Sequence, residues 1–76
     1  MIYDEIRKAY NFKMKCAAGL AFQPDLNESE KAAIREELGA CKFIATVLHV
    51  DTGDGEIKND YNKRRAAILK AAEMEA

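Results

Sequence analysis

Between Ile2 and Ala21 the apolar positions return every three or four residues. Ile2, Ile6, Ala9, Tyr10, Met14, Cys16, Ala17, Leu20 and Ala21 share one broad face, with Asp4, Lys8, Asn11 and Lys15 opposite. That period predicts an amphipathic helix over about 3–22. Asp4 and Glu5 fall in its first turn, where acids complement the helix dipole. Pro24 ends the helix, since proline has no amide to donate and drives Gln23 out of helical backbone.

Asn27 followed by Glu30 has the spacing of a capping box, and Asp25 with Glu28 offers a second register. The helix so begun is predicted over about 28–50. Ile34, Leu38, Cys41, Ala45 and Leu48 recur at steps of four and three, a heptad seam suited to bundle packing. Ala33, Ala40, Ile44 and Val47 form a second stripe that Phe43 and Val50 widen, and from Ala40 to Val50 only Lys42, Thr46 and His49 are polar. One neighbouring helix cannot cover so wide an apolar surface. Phe43, Ile44, Val47, Leu48 and Val50 are therefore the expected interface of a homo-oligomer.

Two glycines and two aspartates within Asp51-Thr52-Gly53-Asp54-Gly55 are turn chemistry. A third helix is expected over about 61–74, capped by Asn59 or Asp60, with a thin apolar face of Tyr61, Ile68, Leu69 and Ala72. The fold class is all-α: an antiparallel helical hairpin with a shorter C-terminal helix, one domain over 1–76, completed by oligomerisation. At 76 residues the core is small and its stability marginal, which favours association.

A net charge of −1 gives no global attraction to nucleic acid or to a membrane. The chain has no apolar run of signal-peptide or membrane-span length, so a cytoplasmic location is expected. There Cys16 and Cys41 read as reduced core thiols. A hairpin folded at Pro24-Asp25 would leave them roughly 10 Å apart along the helix axis, too far to bridge.

Asp54, Gly55 and Ile57 match the D-G-x-I core of a calcium loop, and this segment of about a dozen residues resembles part of an EF-hand or dockerin loop. With Gly55 in the glycine position, however, Val50 takes the first ligand position, Thr52 the third and Tyr61 the last. A loop without its first and last carboxylates cannot supply the six to eight oxygens that calcium takes. An interhelical turn is expected, with no calcium bound.

Lys13 lies near the middle of the first apolar face. Its stem can pack there while its ammonium reaches the edge or a carboxylate such as Glu36 or Glu37. Alternatively, Lys13 with Lys63, Arg64 and Arg65 could hold an anionic ligand, such as a nucleotide or a nucleic-acid phosphate. The basic run Lys58, Lys63, Arg64, Arg65 and Lys70 is interleaved with or followed by Asp60, Glu73 and Glu75, which suits a solvated helix face. His49 lies in the last turn of the second helix, where a cationic histidine suits the helix C-terminus, and it has no ligand partner at zinc spacing. No metal or cofactor is expected, and no nucleophile, phosphate-loop or metalloprotease motif is present in the sequence. The expected function is a small non-enzymatic interaction module, an adaptor, inhibitor or assembly protein acting through protein–protein contacts. The alternative is an oligomeric binder of an anionic ligand. A phage or mobile-element origin is an expectation from size and class, carried by no residue.

Overall fold

A computed structural model of the chain describes residues 2–75 and contains, among them, three helices and no strand: α1 (Ile2–Ala21), α2 (Glu28–Thr52) and α3 (Glu56–Ala71). Asp25 adopts left-handed backbone (φ 57°) in the turn after α1, a conformation that aspartate tolerates better than most residues. Of the two capping registers, the one at Asn27 forms. Its side chain accepts the Glu30 amide at 2.8 Å, and the Glu30 carboxylate accepts the Asn27 amide at 3.0 Å. Asn27→Ala removes an acceptor from the start of α2 and should cost about 1 kcal/mol in urea denaturation. A loss near zero would mean that water replaces this cap without penalty.

The α2 residues buried in the core are Ile34, Leu38, Cys41, Ala45 and Leu48, and α1 meets them with Tyr10, Met14, Ala17 and Ala21. The Cys41 thiol lies 4.0 Å from the Tyr10 carbonyl, and the Lys13 ammonium lies 3.9 Å from the Glu37 carboxylate. Partners thus climb α1 as they descend α2, so the two helices run in opposite senses. The buried arc of α1 is narrower than the apolar face in its sequence: Ile2, Ala9 and Cys16 lie on its outer edge and are exposed. Cys16 is therefore not a core thiol, as expected above, whereas Cys41 is fully buried. Cys41 is level with Tyr10, six residues and about 9 Å from Cys16 along the axis, and both thiols are free. Leu48 also needs correction. It is 0% exposed within its own chain, so it serves the core and not an oligomer interface.

The boundaries around the second turn differ from those expected. α2 continues through Thr52, whose hydroxyl donates to the Leu48 carbonyl, and stops at Gly53, whose left-handed backbone (φ 73°) lets its amide reach the His49 carbonyl. α3 then begins at Glu56, five residues before Tyr61, because the Asp54 carboxylate accepts the Glu56 amide at 3.0 Å. The earlier start adds Ile57 to the buried face of Tyr61, Ile68 and Leu69. α3 ends at Ala71, short of Met74, and Glu73 turns the chain through left-handed backbone. Its partners on α1 ascend together with it (Arg7 with Asp54, Tyr10 with Asp60, Asn11 with Arg64), so α1 and α3 run in the same sense.

Candidate interaction surfaces

α1 and α3 meet along a polar seam. Arg7 bonds to Asp54 at 2.8 Å, and that hydrogen bond, above all other causes, holds the Asp54 carboxyl below the usual carboxylate range. The Tyr10 phenol donates to Asp60 at 2.7 Å. Arg64 closes the seam: it donates to the Asn11 side chain at 3.0 Å, lies 3.4 Å from Asp60, and its guanidinium carbon sits 5.9 Å from the centre of the Tyr10 ring. Burial first, and then the Asp60 carboxylate, pushes the Tyr10 phenol well above its ordinary pKa. The ring of an otherwise buried residue thus ends in a shallow cleft whose charges satisfy one another. The Asp54 backbone carbonyl lies 3.0 Å from Nδ1 of His49. A carbonyl only accepts, so Nδ1 carries the proton in this contact.

The four cations singled out in the sequence do not gather. Lys13 sits beside Glu37 between α1 and α2. Arg64 belongs to the α1–α3 seam. Lys63 is exposed. Arg65, one residue and about 100° around the helix from Arg64, lines a separate groove of about 360 Å³ between α2 and α3. That groove brings Arg65 together with Arg35 and Lys42, two residues that sequence reasoning passed over, and with Glu75 at its edge. The signal was present in outline: Arg35 and Lys42 are seven residues apart, hence on one face of α2.

Several large apolar side chains lie at the surface. All three phenylalanines lie outside the core, with Phe12 68%, Phe22 74% and Phe43 70% exposed. Phe22 lines a groove of about 240 Å³ with Met14, Ala18, Ala67 and Ile68, rimmed by Lys15 and Arg64. Of the expected interface residues, Phe43 and Val50 are exposed, and Ile44 and Val47 are half-buried.

No helix among the described residues is long and apolar enough to cross a membrane. Nor do three or more histidine, cysteine, aspartate or glutamate side chains come together among them in a way that could hold a metal ion. Comparison of the chain with family models, with curated proteins and with solved structures returns no match.

Proposed function

We propose that this chain is a non-enzymatic helical interaction module, an adaptor, inhibitor or assembly protein whose α1–α2 hairpin is braced by α3 and completed by self-association. The exposure of Phe12, Phe22 and Phe43 carries the reading. A phenylalanine can bury roughly 150–250 Å², yet the core of this chain is assembled from alanine, cysteine, isoleucine, leucine, methionine and tyrosine. Contiguous exposed apolar patches mark surfaces that another molecule covers, and these side chains are read as parts of such patches. Light scattering on a sizing column tests it: the native particle should exceed one 8.5 kDa chain at micromolar concentration. Phe43→Ser should lower that mass while helix content holds. Ile44→Asp should lower it further, because it places a charge in a half-buried apolar stripe. A single-chain wild type whose mass and stability ignore Phe43→Ser overturns the reading.

The second reading, a binder of anionic ligands, is favoured by one observation: Arg35, Lys42 and Arg65 share a groove with a single carboxylate at its edge. Lys13 and Arg64 support it less, because Glu37 and Asp60 already neutralise them. Titration with nucleotides and short oligonucleotides separates the two readings, since phosphate binding at this groove would weaken steeply with salt and vanish in Arg65→Ala.

A further inference from the structure

We propose that a second copy of this chain covers the face of the α1–α2 pair turned away from α3, with the two-fold axis running along the helices. The inference rests on the association reading above and assigns it a face, an occupant and a register.

α3 and the turn before it take one flank of the pair, through Arg7, Tyr10 and Asn11 on α1 and Leu38 and His49 on α2. Helical period places a different set on the other flank. The pairings of Lys13 with Glu37 and of Tyr10 with Cys41 fix which residues lie level across it. Ile6 is level with Ile44, Ala9 with Ala40, and Lys13 with Glu37. Ile6 and Ile44 pack on the core from this side and stay half-open, as do Lys13 and Glu37, whose side chains are 39% and 32% exposed. The face is therefore apolar at one end, small-sided in the middle and charged beyond. It follows α1 for about 30 Å and is two helices wide, on the scale of the roughly 800 Å² per partner that a stable dimer buries.

The ion pair selects the occupant. An apolar helix of another protein laid here would strip water from Lys13 and Glu37 and return nothing to them. A second copy answers both charges in only one of the two face-to-face arrangements that a two-fold allows. With the axis across the helices, Lys13 meets the partner's Lys13 or an apolar level. With the axis along them, α1 lies over the partner's α2 without changing level. Lys13 then meets the partner's Glu37, Ile6 meets the partner's Ile44, and Ala9 meets the partner's Ala40, where small side chains let the helices close. Four charges of alternating sign ring the axis, and every neighbouring pair of helices in the resulting four-helix layer is antiparallel.

The test uses two single variants, Lys13→Glu and Glu37→Lys, first alone and then mixed. Alone, each sets four like charges around the axis and should associate at least tenfold more weakly than the wild type. Mixed one to one, each substituted position meets the opposite sign on the other chain, and a particle of two chains should return. The ion pair within each chain stays broken in that mixture, so the recovery reports contact between chains. Circular dichroism should show both variants folded, as exposed ion pairs contribute little to a fold. On the wild type, maleimide labelling of exposed Cys16, which lies on the outer edge of this face, should slow as concentration rises through the association range. Variants that keep the wild-type mass, a mixture no heavier than its parts, or Cys16 labelling indifferent to concentration each overturn the proposal. A multimer that ignores both charges overturns this face alone and leaves the interaction reading standing.

Discussion

Leu48→Ala should destabilise the chain by about 2–5 kcal/mol. Leu48 is 0% exposed, on the α2 seam with Ile34 and Cys41. Truncating a buried leucine costs about 2–5 kcal/mol, from lost burial and from the cavity left behind. A chain of this length holds roughly 4–11 kcal/mol in total, so one substitution removes a large share. Urea denaturation followed by circular dichroism at fixed concentration measures it, with Val50→Ala as the contrast. Val50 is 72% exposed, and its truncation should move the stability of the single chain by less than about 0.5 kcal/mol. If Leu48→Ala changed only the native mass and left the denaturation midpoint in place, Leu48 would belong to an interface after all.

Tyr10→Phe should cost about 1.5–3 kcal/mol, the usual worth of a hydrogen bond to a charged group. The ring still fills its place between α1 and α3, but Asp60 loses the donor that it holds at 2.7 Å. The loss has a pH signature. The folded state raises the Tyr10 pKa, chiefly by burial and next through Asp60. Stabilisation from the neutral phenol is therefore complete below the ordinary phenol pKa of about 10 and declines as pH rises toward the higher folded value. Wild type should weaken from about pH 10 upward, and Tyr10→Phe should lose less over the same range. Some alkaline dependence should persist, because burial also raises the Tyr61 phenol. Equal alkaline slopes in the two proteins would show that Tyr10 ionises as freely folded as unfolded.

Local signals in the chain were legible and distant ones were not. Steps of four and three from Ile34 to Leu48 name the buried residues of α2, and the Asn27–Glu30 spacing names its cap, because both depend on neighbours within a turn or two. The start of α3 was missed because Asp51-Thr52-Gly53-Asp54-Gly55 reads as one loop. Only in three dimensions does Asp54 divide its carboxylate between Arg7 and the Glu56 amide and begin a helix there. The polar seam was illegible for the same reason: Tyr10 and Asp60 are 50 residues apart, and neither is unusual in its own surroundings. Cys16 misled because period alone gives a face its centre and not its width. Leu48 and Phe43 both looked available to a partner, and burial divides them, one at 0% and the other at 70% exposed.

The helices of this chain are not held to one another by the same balance of forces. α1 and α2 meet mainly through hydrocarbon, whereas α3, which adds Ile57, Tyr61, Ile68 and Leu69 to the same core, is also tied to α1 through hydrogen-bonded charges at Asp60 and Arg64 and at Asp54 in the turn before it. Charged bonds at a surface weaken with ionic strength, and hydrocarbon contact does not. α3 is thus the natural unit of partial opening, and its amides should exchange with solvent ahead of those in α1 and α2. Such an opening would erase the basic groove, which needs Arg65 of α3 as one wall, while the opposite flank of α1 and α2 keeps its shape. The two surfaces would then differ in lifetime: the face proposed for self-association would persist through fluctuations that repeatedly dismantle and rebuild the basic groove.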